Sequence, residues 1–354
     1  MGMIVAAAIG LTAWVVPWDG PELPTGLDSF QEVHPFALAL DGVSDPHAVV
    51  AYPDLLARSA ALRSGGRRVV PVIVNDILTG DKVTQFKSGR ALEALLRDPR
   101  KAAAHQEELL RLAEGFDGLE LDYERVPDGL WGRYLDFIEK LAFALHARRQ
   151  VLYVDLEPRQ VYDAEWTARV APALRASVDG ANLMAYYGKG GFAFFAGAAN
   201  SRAYVEETAR RGLAALGPEK LIVCLTLAGT DWTAAWPLPL TPWRGQRLHY
   251  REVQERLAAA KPRFDEASAT PWFEDRADGK RHQVWYEDER SLQAKLDALS
   301  KLGVKQVGFW YWGSQHPKLT NRKQDRPILP TFYSRHMEQG SERTYPTRTR
   351  EEQP

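Results

Sequence analysis

Several things are scarce in this chain, and each scarcity excludes something. One cysteine among 354 residues, Cys224, forbids an internal disulfide, and its place in the apolar run LIVCLTL marks it as a small buried hydrophobe. The eight histidines form no HExxH or paired-cysteine pattern, so no metal and no cofactor is expected. Charge of one sign is also missing: 45 Lys and Arg against 46 Asp and Glu leave a net charge of -1. Nothing in that balance would draw the chain to nucleic acid or to an anionic membrane, and a neutral or mixed partner fits better. Beyond the N-terminus no apolar run approaches the roughly 20 residues needed to span a bilayer. Neither an internal repeat nor a second catalytic domain is visible.

What is present is a chain able to bury one large core, with 45% hydrophobic and 26% charged residues. Met3 to Leu11 is apolar and Ala-rich like the core of a signal peptide, but no basic residue precedes it. Residues 1–10 therefore read as a leader remnant or as barrel padding. From there the pattern is strand then helix, repeated. Candidate strands are Leu11 to Trp18, Val33 to Leu40, Arg68 to Val74, Gly118 to Glu124, Val151 to Leu156, Ala181 to Tyr187, Leu221 to Leu227 and Gln306 to Trp312. Apolar spacing near three and four predicts helices over Tyr52 to Leu62, Pro99 to Ala113, Leu130 to Ala147, Ala164 to Ala176, Arg202 to Leu216 and Ser291 to Leu302. Eight strands alternating with helices predict an α/β fold, a (β/α)8 TIM barrel over residues 11–334, with its site at the C-terminal strand ends. Residues 233–289 are too many for an ordinary connection and predict a small, Trp-rich insertion between strands seven and eight. Residues 335–354 are charged and nearly free of large aliphatics, as in a loose tail.

The most informative stretch is FDGLELDYERVP, from Phe116 to Pro127. Side chains alternate along a strand, so Glu120, Asp122 and Glu124 share one face while Leu119 and Leu121 take the other. A strand with aliphatics opposite the acids is buried on both sides, not a solvated ribbon with an acidic face. Three carboxylates converging inside a fold repel one another and lose hydration unless protons are shared or a ligand compensates. That cost points to catalysis. The strand ends add Asp19, Asp41, Asn75, Asp76, Glu157, Tyr186, Tyr187, Trp310 and Trp312. Rings that stack on sugars, mixed with groups that bind hydroxyls, suit a carbohydrate better than a phosphorylated metabolite. Gly188, Gly190 and Ala193 formally satisfy GxGxxA, but no acid-ended strand follows at the distance a dinucleotide fold needs, and GKGGFAFFAG reads as a loop over the cleft.

The run Asp117-Gly-Leu-Glu-Leu-Asp-Tyr-Glu124 resembles the DGxDxDxE signature of glycoside hydrolase family 18, the chitinase and endo-β-N-acetylglucosaminidase family. Asn182 to Tyr186 is similar to that family's sixth-strand Met-x-Tyr element, and VWYEDERSLQAKLDALSKLGVKQVGFWYWG, from Val284, to its closing segment. VVPVIVN around Asn75 looks closest to the branch of spore-cortex N-acetylglucosaminidases. Departures are Glu120 in place of the usual Asp, Tyr123 where Trp is common, Tyr187 where an acid often follows the Tyr, and a third strand without Ser-x-Gly-Gly.

The resemblance implies a retaining, substrate-assisted hydrolysis of β-linked N-acetylglucosamine glycans, chitin oligomers or peptidoglycan. Glu124 would be acid then base, and the sugar's own acetamido oxygen the nucleophile. Asp122 would orient the acetamido N–H, Tyr186 would hydrogen-bond its oxygen, and Glu120 would share a proton with Asp122. Asn75, Asp117, Met184, Tyr187, Trp310 and Trp312 are the expected substrate contacts, with Trp310 beneath the sugar. Two alternatives stay open: a conventional two-carboxylate glycosidase using Asp155, Glu157 or Asp231, and a non-catalytic sugar-binding barrel. A secreted or envelope-associated monomer is expected.

Overall fold

The computed structural model describes residues 9–20, 22–42, 48–80, 82–186, 192–234 and 242–315. The expected tail, the last part of the barrel's expected extent and most of the leader segment lie outside the described residues, as do Tyr187 and Trp236.

Eight parallel strands close on themselves: β1 Gly10–Val15, β2 Glu32–Asp41, β3 Val72–Thr79, β4 Gly118–Asp122, β5 Val151–Leu156, β6 Gly180–Met184, β7 Leu221–Thr226 and β8 Gln306–Trp310. Closure comes from β8 pairing β1, Gly10 opposite Gln306, while β2 pairs both β1 and β3. The fold is the (β/α)8 barrel that the strand-helix alternation predicts.

Period-two alternation sorts the side chains. In β4, Leu119 and Leu121 join the layer between barrel and helices, and in β7 Val223 and Leu225 do the same. Their neighbours Ile222 and Cys224 face inward beside Trp14, Val72, Val74, Tyr153 and Met184. Every residue of β4 is buried, so Glu120 and Asp122 have no solvent to turn to.

Helices seal the outside. Pro99–Leu112 starts on Asp98, whose carboxylate accepts the N–H groups of Arg100 and Lys101. Glu289–Lys301 starts on an Asp288/Ser291 capping box. The helix expected over Ala164 to Ala176 is split into Ala164–Arg169 and Ala171–Ser177, because Pro172 cannot donate within a continuous helix. The helix Gly89–Arg97, between β3 and β4, is not among those that the apolar spacing predicts.

Between β7 and β8 lies the insertion, which gives five strands of a six-stranded antiparallel sheet and one helix, Tyr250–Leu257. Its strands run from Gly229–Ala234 through Trp243–Leu248 to Lys280–Trp285. The short strand Phe192–Ala193, just after β6, pairs with Trp243–Leu248 and ties the loop there to the insertion.

Two glycines are required by close approach. A Cβ on Gly118 would stand 2.1 Å from the Val151 carbonyl oxygen, and one on Gly308 would stand 2.2 Å from the Trp14 ring. Gly308→Ala should therefore cost about 1–3 kcal/mol through overpacking. It should also displace Trp14 from its partner Glu120, since the indole has no other room. Urea unfolding checks the first effect, and a red shift of the indole fluorescence the second; an unchanged midpoint would mean that the barrel end breathes more than its packing indicates.

Candidate active site

The C-terminal mouth of the barrel opens onto roughly 740 Å³ of empty space, its solvent-facing part included. Its lining includes the carboxylates Asp76, Asp122, Glu124 and Asp155, from β3, β4 and β5 and the loop after β4. Five aromatic rings line it as well: Trp18, Phe36, Phe86, Tyr186 and Trp310. Phe36 stands edge-on to Trp310 at 5.0 Å and to Trp18 at 5.7 Å, so the three form one wall.

Asp122 is 4% exposed and Glu124 9%. Glu124 lies beyond the end of β4, where its position is fixed by the backbone. Asn75 of β3 donates its side-chain amide to the Glu124 carbonyl at 2.8 Å and accepts the Glu124 N–H at 3.1 Å. Tyr123 points outward and meets His105 at 2.5 Å, which anchors the same loop from behind.

Lys87 had drawn no attention in the sequence. It follows the short strand Lys82–Gln85, and its ammonium lies 2.5 Å from Asp122 Oδ2 and 3.0 Å from Glu124 Oε1. Burial alone would strip the proton from this amine, but Asp122, Glu124 and Asp76 outweigh that and hold it charged. Asp122 is pushed up to about 7, chiefly by burial, with Lys87 opposing and Glu124 and Glu120 adding to the rise.

Below the mouth, fully buried Glu120 is held at both oxygens. Trp14 Nε1 donates to one at 2.7 Å, and His34 Nδ1 pairs closely with the other. His34 in turn reaches Glu32 at 3.3 Å, and Glu32 binds Arg68 at 2.5 Å and Tyr153 at 3.0 Å. Asp155 hydrogen-bonds to Glu120 and accepts from Asn182 at 2.7 Å, in register on β6. Burial, with Glu120 and Asp122 close by, pushes the Asp155 carboxyl well above the ordinary range. Both Glu120 oxygens are thus taken, by Trp14 of β1 and His34 of β2, with the raised Asp155 carboxyl close by on β5.

The remaining site residues divide. Met184, Tyr186 and Trp310 line the cavity. Asn75, fully buried, spends its amide on the Glu124 backbone and offers nothing to a ligand. Asp117 lies at the opposite barrel end, where it accepts from Arg63 and from the Val69 N–H. Trp312 is 2% exposed, packed on Phe30 at 4.7 Å with its indole N–H on the Thr25 carbonyl, so it belongs to the core. Tyr187 lies outside the described residues. The other candidate nucleophiles are engaged elsewhere. Asp231 is bound by Arg256 at 2.7 Å and by His282 at 2.9 Å, and Glu157 by the Arg125 N–H at 3.0 Å and by Arg159 at 3.1 Å. Among the described residues no group of three or more His, Cys, Asp or Glu side chains is placed to hold a metal ion.

Of the missed groups, His34 left a trace: it interrupts the apolar strand VHPFALAL at an inward position. Lys87 left none, since it reaches Asp122 across 35 residues from a loop.

A closed barrel whose mouth holds buried carboxylates and an aromatic wall defines a carbohydrate-active class of site. Residues 91–314 match Glycosyl hydrolases family 18, and the chain belongs to that family. Among curated proteins it is 28% identical over 115 residues to the cortical fragment-lytic enzyme of Bacillus subtilis (strain 168), and 24% identical over 117 residues to that of Bacillus cereus. Each match covers 32% of this chain and 27% of the relative, so the chain aligns with about a quarter of their length. The spore cortex-lytic enzyme SleL of Bacillus megaterium QM B1551 superposes with a TM-score of 0.71 at 17% identity, over 88% of this chain and 72% of that one. A chitinase from Chromobacterium violaceum ATCC 12472 gives 0.70 at 20% identity, over 87% and 96%. These superpositions establish the fold.

The floor network has a pH signature. Burial would lower the affinity of His34 for its proton, but the charge and hydrogen bond of Glu120, with Glu32 behind, raise it to about 9 from 6.5. The folded chain therefore binds this proton more tightly than the unfolded one. The stabilisation is full below about pH 6.5 and is lost as pH rises through about 9, an effect on the order of 3 kcal/mol. Wild-type urea midpoints should fall across that window while His34→Gln, less stable from the start, shows little such fall. A flat wild-type profile would contradict a charged His34.

Proposed function

We propose that this chain hydrolyses β-linked N-acetylglucosamine glycans with retention of configuration, Glu124 acting as acid and base and the substrate's acetamido group as nucleophile. The observation that carries the reading is Asp122. Its Oδ1 is buried in the cavity and meets no hydrogen-bond donor among the described residues. An acetamido N–H directed at that oxygen would satisfy it and would turn the carbonyl oxygen toward the anomeric carbon. Glu124 stands beside it, where a glycosidic oxygen would receive the proton.

The surroundings support a nucleophile from the substrate. Asp231 and Glu157 are bound by arginines and line no part of the cavity, and Asp155 is a poor nucleophile with its carboxyl held toward the neutral form. Tyr186 and Trp310 line the cavity, and in this reading Tyr186 hydrogen-bonds the acetamido oxygen while Trp310 stacks beneath the sugar. A purely binding role would have no use for a buried Glu124 whose backbone is clamped by Asn75.

The curated relatives are named for lysis of cortical fragments, so cortex muropeptides are the first substrates to assay, with chitooligosaccharides beside them. Action on such glycans fits a secreted or envelope-associated protein. Among the described residues no helix is long and apolar enough to cross a membrane.

Glu124→Gln should lower kcat by about a hundred- to ten-thousandfold while oligosaccharide affinity changes little. Mass spectrometry of the products together with calorimetric binding measures both, and unaltered turnover would refute the assignment of the acid. Substrates without the acetamido group should not be cleaved by the wild type; their efficient cleavage would restore a protein nucleophile.

A further inference from the structure

The Lys87 ammonium occupies the gap that the proposed reaction needs. Lying 2.5 Å from Asp122 Oδ2 and 3.0 Å from Glu124 Oε1, it sits between the group that would take the acetamido N–H and the group that would meet the glycosidic oxygen. A ligand group that enters between the two carboxylates meets this ammonium first. We propose that Lys87 is a displaceable counter-ion, which bridges the two carboxylates in the empty site and withdraws when the N-acetyl group enters. The inference rests on the functional reading above.

Its backbone is fixed, while its side chain is a long stem with rotatable bonds. The Lys87 N–H donates to Asp76 Oδ1 at 2.8 Å, the next residue's N–H binds the Asn75 carbonyl at 2.9 Å, and φ of +49° sets the turn into the helix Gly89–Arg97. The four-carbon stem crosses the Phe36 ring, with Nζ 5.4 Å from its centre, and ends at the mouth, where the side chain retains 15% exposure. Asp76, already bound to the lysine's own backbone, lies within reach of the same stem and offers the charge that receives it.

The charged groups facing the ammonium are Asp76 from β3, Asp122 and Glu124 from β4 and its loop, Asp155 from β5 and Arg247 from the insertion, with the Glu120–His34 pair beneath. While Nζ bridges Asp122 and Glu124, its charge opposes protonation of the pair, although burial still holds the Asp122 carboxyl up at about 7. Its departure leaves like charges side by side out of water, and the pair takes up further proton from solvent. Ligand entry thereby raises the share of the pair that carries a proton for Glu124 to deliver.

Calorimetry with an S-linked chitotriose, whose thioglycosidic bonds resist hydrolysis, tests this in buffers of different ionisation enthalpy near neutral pH. The wild type should take up a substantial fraction of a proton on binding. Lys87→Met, already carrying that proton, should bind about tenfold more tightly with little uptake. Lys87→Arg, which keeps the cation, should retain the uptake and shows that any folding defect of the Met variant is not the cause. Weaker binding by Lys87→Met would mean that the ammonium is a ligand contact, and wild-type binding without proton uptake would mean that it never leaves; either overturns the proposal. If the wild type binds no such oligosaccharide and cleaves no N-acetylglucosamine glycan, the functional reading itself fails, and the counter-ion falls with it.

Discussion

The burial of Glu120, Asp122, Glu124 and Asp155 in one closed barrel is the constraint on which the rest of the structure depends. Carboxylates this close and this dry cannot all be charged without compensation, since each has given up its hydration and repels the others. Two cations and a carboxyl held toward its neutral form resolve it. His34 sits below, pressed against Glu120 and braced by Glu32, while Lys87 sits above, between Asp122 and Glu124. Asp155 takes the remaining strain as a carboxyl held toward neutrality, steadied by Asn182. The packing follows from that arrangement: Gly308 has no side chain because Trp14 needs the space to reach Glu120, and β2 carries a histidine in an otherwise apolar strand because Glu120 needs a proton donor there.

What the sequence made legible is what period and local spacing encode. Eight barrel strands appear as short apolar runs separated by helical spacing, and the alternation in LELDYE places Glu120 and Asp122 together on the inner face. The insertion is visible as excess length between β7 and β8. Illegible were the partners that arrive from far along the chain. Trp14 meets Glu120 across 106 residues, His34 meets it across 86, and Lys87 meets Asp122 across 35. No one-dimensional pattern marks such contacts, since barrel closure alone decides which strand ends face each other.

The residues whose expected roles changed share one cause. Asn75, Asp117 and Trp312 were each grouped with the mouth because they flank strand ends or belong to a matching motif. Position along a strand does not say which way an end residue turns. Asp117 stands one residue before β4, at its N-terminal end, and so lies at the barrel's far side. Trp312 lies past β8 but its ring turns outward to Phe30, and Asn75 is inside but spends its amide on the backbone of Glu124. That clamp on the main chain places Glu124 more firmly than a contact to its flexible side chain would.

The two cations differ in the way their places in the barrel require. His34 is fully buried and ring-stacked on Tyr153, with both nitrogens engaged, so its charge is a fixed part of the floor. Lys87 carries the same charge on a flexible stem at a partly open edge, over a ring that can hold an ammonium in more than one position. A floor that moved would lose the register of Glu120 and with it the geometry of β4. The barrel therefore separates a charge locked into its floor from one carried on a long stem at its mouth, and the proposed exchange concerns the second alone.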